Sequence, residues 1–273
     1  MREDIGSGDV TTDAVVAPDA FATGTLISRA RGVVAGLPVA ALCFRRLDSR
    51  VSFEPAVEDG ARVKANQVLA KLAGPAAPLL HAERTALNFV QRLSGIATLT
   101  AKFVDAVGGQ RAKILDTRKT TPCMRALEKY AVRLGGGCNH RLGLYDAILI
   151  KDNHLMFRGG GGEGAIRAAV SAARGRAGHL QKIEVEVETL EQVREAIEAG
   201  PDAILLDNMA PAVLAEAVRI VRESGTPIAL EASGNVNLRN IAKIAASGVD
   251  AISIGALTHS APALDIALEL RPA

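Results

Sequence analysis

The sequence predicts an α/β fold in which a parallel sheet closes toward a barrel behind a smaller β-rich region. Three observations carry this. From residue 112 onward, short apolar strands alternate with helix patterns. Those strands present one apolar and one polar face. Residues 20–75 instead read as strands and hairpins.

In chain order, the first strand is expected near Thr23–Ala30 and the next at Val51–Pro55. EDGARVKANQVLAKLAG (58–74) reads as a hairpin region. It echoes the hairpins of biotinyl and lipoyl domains, but its turn lacks the Lys that would carry a cofactor. A long helix follows, with Leu87, Val90, Leu93 and Leu99 at roughly helical spacing. The later strands are expected at Ala112–Asp116, Ala147–Lys151, Ile183–Val187, Ala203–Asp207, Pro227–Glu231 and Ala251–Ile254. Thr189 and Gln192 form a capping box, and Gly200 closes that helix. Pro211 suits a first helical position, and Gly225 stops that helix. Asn237 is expected to cap a helix bearing Leu238, Ile241 and Ile244. The run Gly159–Gly162 reads as a loop before a helix.

One face of the strands carries Ile114, Ile148, Ile150, Ile183, Val185, Val187, Ile204, Leu206, Ile228, Leu230, Ile252 and Ile254. The other carries Lys113, Lys151, Glu184, Glu186, Glu188, Asp207, Glu231 and Ser233 among small or apolar residues. A doubly wound open sheet needs two apolar faces, so the polar face is assigned to a barrel interior. Active sites of such barrels lie at the C-terminal strand ends.

Composition narrows the classes. The chain has 273 residues, 48% apolar and 23% charged, with 3% aromatic and no Trp. It is globular, with a core of Ala, Val, Leu and Ile. Its longest uncharged stretch, Ala251–Leu264, is shorter than the ~20 apolar residues of a membrane span. The start MREDIGSGDV has no apolar h-region, so no secretory signal is expected. A net charge of +2 gives no reason to invoke nucleic acid or membrane partners. Cys43, Cys123 and Cys138 show no CxxC spacing, which fits a reducing, cytoplasmic setting.

Four constellations carry chemistry. The first, Asp116-Thr117-Arg118-Lys119-Thr120-Thr121-Pro122, ends a strand with two cations suited to an anion. Taken alone, it could be a solvated turn. The second, Gly135–Arg141, lets backbone approach a ligand and adds His140 and Arg141. The third sets Lys151 against the carboxylates Glu184, Glu186 and Glu188, which need cations to coexist. Glu186 and Asp207 could hold Mg²⁺, which prefers oxygen ligands and works beside phosphates. An internal ion-pair network is the alternative. The fourth, Ser233-Gly234-Asn235 and Gly255-Ala256, ends the last two strands, where barrels place phosphate before helix N-termini. Arg125, Lys129 and Arg133 share a helix face read as a solvated or interface stripe. A different enzyme class, a Schiff-base aldolase using Lys151, stays open on residue type alone.

The sequence resembles the quinolinate phosphoribosyltransferase family, also called carboxylating nicotinate-nucleotide pyrophosphorylases. The resemblance rests on EDIGSGDVTTD (3–13), HAERTALNFVQRLSGIAT (81–98), ILDTRKTTP (114–122), LEKYAV (127–132) and GGGCNHRLGLYDAILIKDNH (135–154). It continues through IEVEVE (183–188), LLDNM (205–209), EASGNV (231–236) and SIGALTHSAPALD (253–265). The NHR and IKDNH strings separate it from a related protein type associated with molybdenum transport. The family usually has Gly after TTP, where Cys123 stands here, and relatives usually carry a helix before EDIGSGD.

The resemblance implies an N-terminal α/β sandwich domain over 1–105 and an incomplete, seven-stranded α/β barrel over 106–259. Residues 260–273 are expected to pack back on the first. It implies Mg²⁺-dependent transfer of phosphoribose from phosphoribosyl pyrophosphate to quinolinate. The products are nicotinate mononucleotide, pyrophosphate and CO₂, a step of de novo NAD biosynthesis. It assigns Arg118, His140 and Arg141 to the quinolinate carboxylates. Lys119 and Lys151 lie near the pyrophosphate and substrate. Glu186 and Asp207 hold the ribose hydroxyls and Mg²⁺. Ser233, Gly234 and Gly255 cradle the 5′-phosphate. Arg84 reaches the site from a neighbouring subunit, which implies a homodimer or a hexamer built of dimers.

Overall fold

The computed structural model describes residues 1–273 except Gly159, the first residue of the expected glycine loop, which lies outside the described residues. The chain divides into two compact units. One comprises Met1–Ala101, Ala126–Gly136 and Ser260–Ala273; the other comprises Lys102–Arg125 and Gly137–His259.

The first unit begins with two short helices, Arg2–Ile5 (α1) and Val10–Val15 (α2). The Asp9 carboxylate caps α2 by accepting from the Thr11 and Thr12 backbone N–H groups at 3.1 and 3.0 Å. Its strands are Phe21–Ser28 (β1), Gly32–Val33 (β2), Ser52–Pro55 (β3), Arg62–Val63 (β4) and Gln67–Pro75 (β5). A four-stranded antiparallel sheet runs C-terminal strand, β1, β5, β3, the C-terminal strand being Ile266–Pro272. The first strand thus starts and stops two residues earlier than the alternation suggests. Its Ser28 instead pairs with Gln67 at the edge of the hairpin.

Leu37–Leu47 (α3) and Ala76–Ala106 (α4) supply the apolar cover. Leu79, Ala82, Ala86, Leu87, Val90, Leu93, Ile96 and Ala97 recur at helical spacing on α4 and are all buried. Phe44 of α3 stacks on Phe53 of β3 with ring centroids 6.1 Å apart. Helix Arg125–Leu134 (α5) corrects the expected cationic stripe: Arg133 is exposed, but Lys129 is only 3% exposed. Its neighbour Glu128 is fully buried and accepts from Arg92 at 2.9 Å. Charge spacing alone does not reveal such a long-range partner.

The second unit is a parallel sheet with helices after its strands. The strands are Lys113–Leu115 (β6), Ile148–Ile150 (β7), Ile183–Val187 (β8), Ala203–Asp207 (β9), Ala229–Ser233 (β10) and Ala251–Ser253 (β11). The helices are Asp152–Gly159 (α6), Ala165–Arg174 (α7), Leu190–Ala199 (α8), Pro211–Glu223 (α9), Ile241–Ala245 (α10) and Ala256–His259 (α11). The order is β6-β11-β10-β9-β8-β7, so the first strand pairs with the last. Among the described residues no pairing joins β6 to β7, but Cys138 makes a parallel bridge with Leu115 of β6.

The two faces differ as their composition suggests. Val185, Ile204, Leu206, Leu230 and Ile252 have no exposed surface, nor have Val193 of α8 or Ala217 and Val221 of α9. Each such Leu, Ile or Val contributes roughly 1.5–3 kcal/mol through burial. The Thr189–Gln192 capping box forms in both directions, and Gly200 closes α8 in the left-handed conformation, φ +65°. Pro211 opens α9, and Gly225 follows its end at φ +68°.

Two local expectations shift. The strand expected at Pro227–Glu231 starts at Ala229, because Pro227 has no N–H to donate and the first N–H of β10 goes to Asp202 O at 3.1 Å. Asn237 closes a turn instead of capping a helix. Its Oδ1 accepts from the Arg239 N–H at 2.9 Å, and α10 starts only after Asn240. Cys43, Cys123 and Cys138 are free thiols, and no helix among the described residues is long and apolar enough to cross a membrane.

Candidate active site

Because the sheet is parallel, the C-terminal ends of its strands converge on one cleft of about 760 Å³. Arg118, Lys119, His140, Arg141, Lys151, Glu186, Asp207, Ser233, Gly234 and Gly255 all line it. The structure therefore gathers every expected site residue except Arg84. That residue lies exposed on α4, in the other unit.

The cationic wall is built by Asp116. Fully buried just past β6, it accepts from Asn139 Nδ2 at 2.6 Å and from the His140 backbone N–H at 2.8 Å. The Cys138 N–H donates to Ile114 O at 2.8 Å. These bonds pin the CNH segment beside β6 and place His140 and Arg141 in the same cleft as Arg118. The Arg141 guanidinium is held below its usual value, chiefly by burial and then by the like charge of Arg118. Two neighbouring guanidinium groups suit a ligand carrying more than one negative charge. The Arg118 loop is tied from behind: Arg125 Nε donates to Thr120 Oγ1 at 2.9 Å, and Thr258 Oγ1 donates to Lys119 O at 2.8 Å.

Cys123 closes this loop at φ +62°, a left-handed conformation that favours glycine, the residue the resemblance leads one to expect there. Cys123→Gly should therefore raise thermal stability, by about 1 kcal/mol. Denaturant unfolding of the two proteins checks this; an unchanged or lower stability would contradict it.

The acidic wall rises from β8. Glu186 lines the cleft and Glu184 meets His140 from behind it, whereas Glu188 lies past the strand, exposed. The Glu188 N–H belongs to the α8 cap, donating to Gln192 Oε1 at 2.7 Å, so the expected trio is a pair. Lys151, one residue past β7, ion-pairs with Glu186 through its ammonium. His140 Nδ1 accepts from the Arg141 backbone N–H at 2.7 Å, and its Nε2 lies 3.1 Å from Glu184 Oε2.

The third wall joins β9 and β10. Asp207 Oδ2 accepts from Asn208 Nδ2 at 2.6 Å, and Asn208 Oδ1 accepts from Asn235 Nδ2 at 2.9 Å. Asn208, Gly234 and Asn235 all have positive φ. At Gly234, φ +90°, a Cβ would lie 2.2 Å from Asn208 Oδ1 and 2.9 Å from its backbone nitrogen. Gly234→Ala should thus destabilise by roughly 2 kcal/mol and open the turn beside Asp207. Unfolding curves of the two proteins check this; an unchanged midpoint would contradict it. The helices after these turns, α10 and α11, have only 5 and 4 residues, so neither offers a long helix dipole to an anion in the cleft. Gly255 leaves room for Lys119 and His259: a Cβ there would sit 3.0 Å from Lys119 Cδ and 3.1 Å from His259 Nε2.

Sequence reasoning does not single out Asn208, His259 or Glu231 as site residues, yet all three line the cleft. The strings LLDNM, EASGNV and SIGALTHS contain them, but only tertiary placement shows that they meet.

The C-terminal domain model of quinolinate phosphoribosyl transferase matches residues 96–269, and its N-terminal domain model matches residues 9–94. The chain belongs to the quinolinate phosphoribosyltransferase family. A nicotinate-nucleotide pyrophosphorylase [carboxylating] of Mycobacterium leprae is 46% identical to it, the match covering 99% of this chain and 94% of the relative. A probable enzyme of the same description from Bacillus subtilis is 44% identical, covering 98% and 90%. The crystal structure of NadC from Streptococcus pyogenes superposes with a TM-score of 0.92 at 40% identity, covering 100% of this chain and 94% of that one. The nicotinate-nucleotide pyrophosphorylase structure from Francisella tularensis does so with a TM-score of 0.92 at 41% identity, covering 99% and 92%. Arg118, His140, Arg141 and Lys151 thus face one another in a fold shared with quinolinate phosphoribosyltransferase family members.

Proposed function

We propose that the chain transfers phosphoribose from phosphoribosyl pyrophosphate to quinolinate and removes one carboxylate as CO₂, giving nicotinate mononucleotide and pyrophosphate for NAD biosynthesis. The observation that carries this is the cleft itself, with paired guanidinium groups on one wall and carboxylates on another. Arg118, Arg141 and His140 receive the two carboxylates of quinolinate. Lys119 and Lys151 lie toward the pyrophosphate. Ser233, Gly234 and Gly255 cradle the 5′-phosphate, and Glu186 and Asp207 take the ribose hydroxyls.

An all-oxygen donor pair, Glu186 and Asp207, opens onto the cleft that would hold the pyrophosphate and fits a hard cation. These residues would hold Mg²⁺, which supplies charge neutralisation for the leaving pyrophosphate. The chain's own carboxylates then face the positive charge developing at ribose C1. The guanidinium pair fixes the pyridine ring so that its nitrogen meets C1. The 2-carboxylate, turned toward the buried floor, leaves where water is excluded.

In this reading the parallel sheet is an incomplete barrel, its seventh strand supplied where Cys138 bridges β6. Residues 1–105 and 260–273 are read as the sandwich domain and residues 106–259 as the transferase domain, with Ala126–Gly136 folded into the first compact unit. The enzyme works in the cytoplasm without nucleic acid or membrane partners, as a homodimer or hexamer of dimers whose Arg84 completes a neighbour's site.

Nicotinate, lacking the second carboxylate, leaves one guanidinium unpaired. Its kcat/KM should fall by about 10³-fold or more relative to quinolinate. Parallel assays on the two acids test the reading, and comparable turnover of nicotinate would defeat it.

A further inference from the structure

Loss of CO₂ leaves an electron pair on C2 of the pyridine ring, and a proton must replace it. The cleft wall against His140 holds an acid that the roles above do not use. Glu231 of β10 is 5% exposed and lines the cleft. Its Oε2 lies 3.6 Å from His140 Nε2, beyond hydrogen-bond length, and its Oε1 is buried without a hydrogen-bond partner. Glu184 claims the same imidazole nitrogen from 3.1 Å.

Proton counting decides what this cluster holds. The Arg141 N–H donates to His140 Nδ1, so a neutral imidazole carries its one proton on Nε2. That single N–H serves Glu184 and cannot also neutralise a second buried carboxylate. We propose that Glu231 is the proton donor that quenches the C2 carbanion when CO₂ departs, an inference that rests on the quinolinate reading above.

The groups facing it are Glu184 from β8, Ser253 from β11, His140 and Lys151. Burial and the Glu184 charge push its carboxyl up to about 7, against the weaker opposite pull of His140, Ser253 and Lys151. The ammonium of Lys151 is engaged with Glu186.

The step balances. The C2–carboxylate bond breaks and its electron pair stays on C2, beside the quaternised ring nitrogen. CO₂ leaves neutral. The Glu231 O–H bond breaks, its proton forms the new C2–H bond, and Glu231 remains as carboxylate. Solvent reprotonates it through the cleft before the next turnover.

The test compares wild type, Glu231→Gln and Glu231→Asp with quinolinate labelled in the 2-carboxylate, phosphoribosyl pyrophosphate and Mg²⁺. Pyrophosphate and labelled CO₂ are measured in the same samples. In Glu231→Gln, CO₂ release should slow by about 100-fold or more while pyrophosphate release persists, so quinolinate mononucleotide accumulates. KM for quinolinate should stay near wild type, and Glu231→Asp should restore part of the CO₂ rate.

A second readout needs no turnover. Raised above its unfolded value of 4.5, Glu231 stabilises the fold at low pH, and that contribution fades as pH rises through about 7. Wild type should therefore lose stability relative to Glu231→Gln between pH 4.5 and about 7. Equal release of the two products at near wild-type rate, equal slowing of both, or an unchanged stability difference would each overturn the proposal. If wild type itself does not use quinolinate, the underlying reading fails instead, and this inference fails with it.

Discussion

Arg84→Ala and Lys119→Ala should each be nearly inactive alone, yet a mixture of the two should regain roughly a quarter of wild-type activity. Lys119 lines the cleft, with its backbone carbonyl held by Thr258 at 2.8 Å. Arg84 stands exposed on α4 in the other unit and does not line it. If Arg84 serves a neighbour's cleft, each site of a symmetric dimer uses Arg84 from one chain and Lys119 from the other. Random exchange at equal amounts makes about half the dimers hybrids, and each hybrid has one intact site. Chains of distinct mass report whether exchange has occurred. Exchange without recovered activity would place Arg84 outside the partner's site.

Glu186→Gln should cut kcat by about 10²–10³-fold and blunt the response to Mg²⁺. The effect has two sources. In the proposed roles the substitution removes a carboxylate that faces the ribose, and it leaves the ammonium of Lys151 without its partner on β8. Glu188→Gln, by contrast, changes an exposed side chain past the strand end, where only the backbone N–H is engaged in the α8 cap. Its activity should remain within a few-fold of wild type. Titrating activity against Mg²⁺ for the three proteins separates these outcomes. A greater sensitivity at Glu188 would mean that the cleft-facing register of β8 is wrong.

Much of this architecture is legible because it is periodic. The alternation of Ile183, Glu184, Val185, Glu186 and Val187 already sorts a buried apolar face from a polar one, and the structure buries the apolar members completely or nearly so. Thr189 and Gln192 are likewise read locally, because a capping box needs only residues three apart. Legibility ends where a partner comes from far along the chain. Lys129 looks like part of a solvated or interface stripe with Arg125 and Arg133, until the structure buries it beside Glu128, which Arg92 meets from α4. Asn237 carries a cap signal, but its side chain closes a turn with Arg239 and the helix waits for Ile241.

The candidate site divides in the same way. Arg118, Lys119 and Lys151 announce themselves by charge at strand ends, and His140 and Arg141 follow a glycine run. Asn208 does not, since its role is to bridge Asp207 and Asn235 across two turns. Glu231 reads as one more polar-face residue. Its standing as an acid depends on Glu184 and on the Arg141 N–H that fixes the His140 ring, contacts from sites 47 and 90 positions away in the chain.

The most direct measurement uses the purified protein with quinolinate labelled in its 2-carboxylate, phosphoribosyl pyrophosphate and Mg²⁺. Labelled CO₂ and nicotinate mononucleotide should appear in equal amounts, and neither should form when either organic substrate is omitted. A protein that is folded and binds phosphoribosyl pyrophosphate, yet releases no labelled CO₂ and forms no nicotinate mononucleotide, would contradict the account.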